Sequence, residues 1–260
     1  MAKERLDILL VERGLCPTRE KAQVRIMAGE VWSEGKRLEK PGTKLALDTP
    51  LEIRGRQEKF VSRAGEKLEH ALVSFAIEVS QSVCLDVGAS TGGFTDCLLQ
   101  RGAKHVFSVD VGYGQLDVKL RQHPKVTNIE NQNARFLTLA HLTSQNPLAD
   151  QISLVVMDVS FISLEKILPA LKSEFAFVPR WVLLFKPQFE VGREWIGKGG
   201  IVRSDEAVRE AINHFQAVMS SLGFRLAGGP ESSPLTGKKS GNLEYLLSYE
   251  LPGAQHASIR

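Results

Sequence analysis

Two groups of residues in this chain have the types and spacing for chemistry. The first is the run Asp86-Val87-Gly88-Ala89-Ser90-Thr91-Gly92-Gly93-Phe94-Thr95, directly after a short apolar segment. Glycines at a strand-to-helix turn let the backbone approach a ligand closely and aim helix N–H groups at it. The spacing is D-x-G-x-x-x-G-G, which is neither the G-x-G-x-x-G of dinucleotide binders nor the G-x-x-x-x-G-K-[ST] of phosphate loops. It holds no lysine for a triphosphate, whereas a zwitterionic methionine tail carrying a sulfonium needs none. Asp86, Gly88, Ser90, Thr91, Gly92, Gly93 and Phe94 are therefore candidate cofactor contacts. Asp110, at the end of the next apolar run, can accept both hydroxyls of an adenosine ribose. Asn133, after the third run, lies where an adenine edge would be. The alternative for all of them is plain turn-making, since Gly, Asp and Asn are ordinary loop residues.

The second group is charged. Asp158 and Lys186 each end an apolar run, and Glu244 begins the last one. In open α/β sheets ligands bind at the carboxyl ends of parallel strands. If the last strand is antiparallel, its first residue lies at that same edge, and Asp158, Lys186 and Glu244 converge beside the glycine loop. Lys67, on a helix before the first strand, can fold over the edge to join them. Singly, each is an ordinary solvated loop residue; the topology is what makes the group.

The elements that must position these residues follow from the apolar pattern. Short apolar runs at 83–87, 105–110, 126–129, 152–157, 181–185, 224–227 and 244–249 predict strands. Helical segments are predicted between most of them, at 94–101, 116–122, 164–172 and 205–222, after a helix capped by Ser62. Such alternation predicts a mainly parallel sheet covered on both faces. A loop without a helix joins the last two runs, so the final strand is expected to be antiparallel. Seven strands with a reversed last one match a Rossmann-like methyltransferase architecture.

Residues 1–59 read differently. Leu6, Leu9, Leu10 and Leu15 border a helix closed near Gly14, and Thr18 caps a second over 19–28. Residues 31–32 and 37–38 flank a hairpin-like turn, with a further strand at 51–53. Residues 54–59 form a short polar linker. This segment has 13 Lys plus Arg against 10 Asp plus Glu, which is the whole +3 net charge of the 260-residue chain. Arg5, Arg19, Lys21, Arg25, Lys36 and Arg37 are its candidate phosphate contacts, the alternative being a solvated mixed surface. The glycine-rich 192–203 and the lysine-bearing 236–242 are candidate loops for a target nucleotide.

The remaining features narrow the class. Cys16, Cys84 and Cys97 form no metal-ligand spacing and read as core filler in a reducing compartment. No metal site is expected. The first ten residues carry Lys3, Glu4, Arg5 and Asp7 and lack a signal-peptide apolar region. No apolar run approaches the length that spans a bilayer, so a cytoplasmic protein with no membrane partner is expected.

Several segments resemble the TlyA family, whose catalytic half is an FtsJ-like ribose methyltransferase. They are Ser62-Arg63-Ala64-Gly65-Glu66-Lys67-Leu68, Asp86 to Phe94, Asp110 to Leu116, Met157 to Leu164, Phe185-Lys186-Pro187-Gln188-Phe189-Glu190 and Gly241-Asn242-Leu243-Glu244-Tyr245. They cover almost the whole chain in family order. The resemblance implies that Lys67, Asp158, Lys186 and Glu244 are a catalytic tetrad, with S-adenosyl-L-methionine as cofactor. It also implies that residues 1–59 are an alpha-L RNA-binding domain and 60–260 the methyltransferase domain. The implied substrate is ribosomal RNA, free or in subunits, methylated on the ribose 2′-oxygen of cytidine. A ribose hydroxyl is a poor nucleophile, so Lys186 is expected to be the base, favoured by nearby Lys67 and partial burial, with Asp158 and Glu244 orienting the lysines.

Three alternatives compete. Asp158-Val159-Ser160-Phe161 faintly resembles the N-P-P-[YF] motif of base methyltransferases but lacks both prolines. A catalytically silent ribosome-binding factor would have no use for an intact loop and tetrad. Haemolysis, a label attached to the family, would call for a spanning or strongly amphipathic segment, which the sequence lacks. No residue names a ribosomal position or an oligomeric state.

Overall fold

A computed structural model describes residues 2–54, 59–235 and 241–254. The chain divides into two compact units, Met1–Gln57 and Glu58–Arg260. The first contains β1 (Lys3–Arg5), α1 (Leu6–Glu12), α2 (Arg19–Met27), β2 (Val31–Ser33), β3 (Lys36–Arg37), β4 (Lys44–Ala46) and β5 (Glu52–Ile53). The Thr18 side chain accepts the Lys21 N–H, as expected of a cap. Leu6, Leu10, Ala22, Ile26 and Val31 pack into this unit's own small core. Asp7 is fully buried there, an unusual position for a carboxylate. It is held by Arg5 (Nε–Oδ1 3.0 Å), by Arg19 (Nε–Oδ2 2.8 Å) and by the Gln23 amide (2.8 Å). The Arg5 guanidinium, with Gln23 and Arg19 adding to it, keeps the Asp7 carboxyl far below the usual carboxylate range.

The second unit contains α3 (Ala64–Ser74), β6 (Val83–Val87), α4 (Gly93–Gln100), β7 (His105–Val109), α5 (Val118–Arg121), β8 (Val126–Ile129), α6 (Leu139–Gln145), β9 (Ile152–Met157), α7 (Leu168–Glu174), β10 (Arg180–Phe185), α8 (Pro187–Glu190), α9 (Asp205–Ser221), β11 (Arg225–Ser232) and β12 (Tyr245–Glu250). Seven strands form one sheet in the order β11-β12-β10-β9-β6-β7-β8. β10, β9, β6, β7 and β8 are parallel; β12 runs antiparallel to both β10 and β11. Alternate strand residues serve two cores. Leu85, Phe107, Val155 and Leu183 point to the side covered by α7 and α9, with Leu168, Leu171, Phe215 and Met219. Cys84, Val106, Val156 and Val182 point to the side of α3 and α4, with Leu68, Leu72, Phe94 and Leu98. No helix among the described residues is long and apolar enough to cross a membrane.

The structure corrects some local expectations. Ser62 caps nothing: α3 starts at Ala64, and Arg63 before it is already in a helical conformation without a side-chain cap. The Ser62 hydroxyl instead lies over Gly93, where a β-carbon would be 2.3 Å from it. The expected helix over 164–172 is broken into a 3₁₀ turn (Leu164–Lys166) and α7, because Pro169 has no N–H to continue the ladder. Helix α6, flanked by Thr138 as its cap, had no clear apolar period and was not foreseen. Of the 54–59 linker, residues 55–58 lie outside the described residues, as do 236–240 of the second candidate loop.

Replacing Asp7 by Asn should loosen the first unit, because three charge-assisted or amide hydrogen bonds lose their acceptor charge. Amide exchange in α1 and α2 is expected to rise by about ten- to hundredfold, corresponding to roughly 1–3 kcal/mol. A carboxyl held low in the folded state contributes stability above its unfolded value, about pH 4, and loses it as the pH falls. Wild-type protection factors, which correct for the intrinsic pH dependence of amide exchange, should therefore fall on acidification below about pH 4, and the variant's should be flatter. Equal exchange in the two proteins would remove Asp7 from this role.

Candidate active site

The site begins at the carboxyl end of β6, where Gly88 has φ +86°. A β-carbon there would lie 2.7 Å from the Asp158 carbonyl oxygen, so only glycine lets the loop pass over the end of β9. Ser90, also at positive φ, gives its N–H to Asp110 Oδ2 (2.8 Å), and Asp110 Oδ1 takes the Gly112 N–H (2.7 Å). Asp110 thus fastens the two loops after β6 and β7 to each other. Gly92, in the left-handed region at the start of α4, faces Leu116 and Leu120, which pack under the loop with Ala89. Gly93 allows the first turns of α3 and α4 to touch, since its β-carbon would meet Gly65 N at 2.8 Å.

A cavity of about 430 Å³ opens above this edge. Gly88, Ser90, Asp110, Gln115, Asn133 and Asp158 provide its polar wall, and Val87, Val109, Val111, Val159, Phe161 and Ile162 much of its apolar wall. A volume of this size suits a nucleoside-sized ligand. Asn133 Oδ1 accepts the Arg135 N–H, so its side chain caps the turn that follows as well as lining the cavity. A smaller compartment of about 150 Å³ shares Gly88, Ser90, Asp158 and Ser160 with it and continues past Ser62, Thr91 and Phe94 to Lys186.

Of the expected cofactor residues, Gly88, Ser90, Thr91, Phe94, Asp110 and Asn133 line these cavities. Asp86, Gly92 and Gly93 do not; they shape the loop from behind. Asp86 is fully buried, accepts Thr95 Oγ1 at 2.7 Å and leaves its other oxygen without a hydrogen-bond partner among the described residues. Burial raises its carboxyl to about 7, helped by the charge of Asp158 and opposed by Thr95.

The four charged residues meet as two ion pairs. Lys67 of α3 contacts the Glu244 carboxylate, with 11% and 4% of the two side chains exposed. Lys186 Nζ lies 2.6 Å from Asp158 Oδ1 and 2.7 Å from Ser160 Oγ. The pairs are neighbours, because β10 and β12 pair with Phe185 opposite Tyr245. One step further along each chain, Lys186 faces Glu244. Each amine therefore has its own carboxylate, the arrangement expected if Asp158 and Glu244 orient the lysines.

Sequence reasoning missed Ser62, Gln115, Ser160 and Phe161. The sequence assigns none of the four a role at the site, although all lie in segments that resemble the family, and Ser160 and Phe161 also in the run compared with N-P-P-[YF]. Phe161 is 91% exposed, sits at φ +66° and packs against Phe189 (ring centroids 5.5 Å). Several of the candidate phosphate contacts of the first unit have acidic partners. Arg5 and Arg19 hold Asp7, Arg25 lies 3.8 Å from Glu30, and Arg37 lies 3.1 Å from Glu39. Lys21 and Lys36 lie on the exposed surface.

Residues 60–250 match the family described as FtsJ-like methyltransferase. The chain belongs to this family. Residues 4–49 match the S4 domain. The chain is 47% identical over 251 residues to YqxC of Bacillus subtilis, provisionally named an rRNA methyltransferase, covering 96% of this chain and 87% of that protein. It is 43% identical over 246 residues to the 16S/23S rRNA (cytidine-2′-O)-methyltransferase TlyA of Mycobacterium tuberculosis, covering 94% and 89%. A solved Streptococcus thermophilus structure with a provisional hemolysin label superposes with a TM-score of 0.72 at 41% identity, covering 100% of this chain and 92% of that one.

The cofactor of an S-adenosylmethionine-dependent methyltransferase suits the cavity. Its wall has two carboxylates, Asp110 and Asp158, and no lysine or arginine among the described residues. With Asp158 paired to Lys186, Asp110 supplies the uncompensated charge of the wall, a setting that favours a sulfonium over a triphosphate. Asp110, on the cavity wall, keeps the carboxylate lone pairs that its two N–H donors leave free.

Gly88→Ala should cost at least about tenfold in S-adenosylmethionine affinity by calorimetry, since a clash with backbone adds to left-handed strain. Unchanged affinity would show that the loop does not depend on this close approach. Asp86 should make the folded protein less stable as the pH rises from about 4 to about 7, because its raised carboxyl must ionise while buried. Asp86→Asn is expected to flatten that decline in thermal unfolding; a wild-type profile in the variant would contradict the assignment.

Proposed function

We propose that this FtsJ-like methyltransferase transfers a methyl group from S-adenosylmethionine to the ribose 2′-oxygen of cytidine in ribosomal RNA, in the cytoplasm. The observation that carries the reading is the pairing of Lys67 with Glu244 and of Lys186 with Asp158 beside a donor cavity whose wall, among the described residues, has no cationic side chain. The printed activity of the Mycobacterium tuberculosis relative supports the substrate, and the S4 match supports RNA as partner. The hemolysin label of other relatives stays with those proteins.

When bound, the cofactor supplies an electrophilic methyl on sulfur. The residues of the chain align and deprotonate the acceptor. Asp158 borders both compartments, so Lys186 Nζ is held at the junction between donor cavity and acceptor side. Lys186 acts in its neutral form, after losing its ion-pair proton to solvent: a hydroxyl arriving there gives its proton to Nζ as the carbon–oxygen bond forms and the methyl carbon–sulfur bond breaks, leaving S-adenosylhomocysteine. Asp158 and Ser160 fix the direction of that amine. Glu244 holds Lys67 against the opposite side of the same edge, where the ammonium steadies the negative charge developing on the attacking oxygen. Positioning contributes as well, because in-line displacement requires oxygen, carbon and sulfur to be nearly collinear.

Lys186→Ala should lower methyl transfer to ribosomal RNA by about 10²–10⁴-fold, the usual worth of a general base, with cofactor affinity retained. The product of the wild-type enzyme should be a cytidine whose 3′-phosphodiester bond resists alkali. A methyl found on the base, or substantial activity without Lys186, would overturn this mechanism.

A further inference from the structure

The donor cavity occupies one half of the sheet edge. Its walls come from the segments after β9, β6, β7 and β8. Lys186 and Glu244 stand at β10 and β12, on the other half. In-line displacement puts the attacking oxygen opposite the leaving sulfur, so the RNA must reach the site over β10 and β12. Residues 192–203 lie there. They leave α8 only a few residues after Lys186, and their other anchor is Asn242, two residues before Glu244.

This segment has an ordered backbone. Ile196 bridges Val202 in antiparallel fashion, and Gly197 N–H donates to the Ile201 carbonyl (2.8 Å). Gly199 and Gly200 turn the tip at positive φ, and a β-carbon on either would meet nothing within 4 Å, so the tip stands in open space. Asn242, 5% exposed, acts as a fastener: its Oδ1 accepts the Val202 N–H (3.0 Å) and its Nδ2 donates to the Gly200 carbonyl (2.8 Å). The held segment carries Arg193, Lys198 and Arg203 against Glu194. Among the described residues none of those three cations has an ion-pair partner, and Trp195 is 47% exposed between them. An indole left in water on a fastened, basic loop is suited to a partner that combines phosphates with stackable rings.

We infer that residues 192–203 form a flap that clamps the single-stranded RNA flanking the target nucleotide. Trp195 stacks on a neighbouring base, Arg193 and Lys198 contact phosphates, and Asn242 is the positioning residue that holds the flap at the acceptor side. The inference rests on the proposed RNA methylation. It adds the residues that hold the acceptor strand.

The test uses the full chain with ribosomal RNA purified from cells lacking this gene. For Trp195→Ala, KM for RNA should rise by about tenfold or more, the size of one lost base–aromatic stack. The kcat value and the cofactor affinity should stay near wild type, and Trp195→Phe should restore most of the loss. Asn242→Ala should raise KM for RNA in the same direction. Exchanging Arg193 and Lys198 for Gln should reduce the salt dependence of RNA binding. Wild-type KM in both Trp195→Ala and Asn242→Ala would overturn the flap, as would a matching loss of cofactor affinity, which would place Trp195 on the donor side. Retention of the RNA on filters with S-adenosylhomocysteine present reads the flap without turnover. An inactive wild type would sink the methylation reading, while the filter arm would still decide the flap.

Discussion

The antiparallel insertion of β12 between β11 and β10 governs the chemistry of this molecule. Because β12 runs against β10 with Phe185 opposite Tyr245, the residue that precedes β12 meets the residue that follows β10. Glu244 and Lys186 become neighbours, and α3 brings Lys67 down onto Glu244. A parallel β12 would carry Glu244 to the far end of its strand, roughly 20 Å away for six residues. Lys67 would then face the edge without its counter-charge, and a nearly dry amine without a partner is costly. One reversed strand therefore decides whether the charges form a site.

Close backbone approach is the second organising constraint. Gly88 brings the β6 loop against the Asp158 carbonyl, and Gly93 brings α4 against the start of α3. The first contact sets the floor shared by the two cavities. The second sets where Lys67 hangs over the edge, since it lies one turn into α3. Cofactor floor and catalytic amine thus depend on two positions where no side chain fits. Asp86 belongs to the same support: it is buried behind the loop and bound to Thr95 of α4, away from both cavity walls.

Charge is divided along the sheet edge by function. The donor half has carboxylates and apolar walls, and the acceptor half has the two amines and the basic flap. A cationic cofactor and an anionic polymer are thereby drawn to opposite sides of one line of atoms. In the S4 unit much of the basic surface is internally committed, most clearly where Asp7 gathers Arg5 and Arg19. A guanidinium held by a buried carboxylate loses less side-chain freedom when its remaining N–H groups meet a phosphate.

The amino-acid sequence by itself determined the period of the elements and the special loop. Buried parallel strands must be short and apolar, so 83–87 and 152–157 were legible to the residue, as was the partly buried edge strand 126–129. The missing helix between the last two strands likewise forecast the reversed one. Local chemistry was less legible where it depended on contacts. Ser62 has the composition of a cap, yet its hydroxyl lies over Gly93, a residue thirty-one positions away, and only packing reveals this. Asp86, Gly92 and Gly93 share a motif with the cavity residues, but which members face the ligand depends on how the loop folds back. Ion pairing is a matter of distance in space: the sequence could gather two lysines and two carboxylates at one edge, but only the register of β10 on β12 and the seat of α3 decided which amine met which acid. Asn242 and Trp195 lay inside candidate loops, but their separate roles were hidden for the same reason, since a buried amide and an exposed ring differ from common loop residues only in what surrounds them.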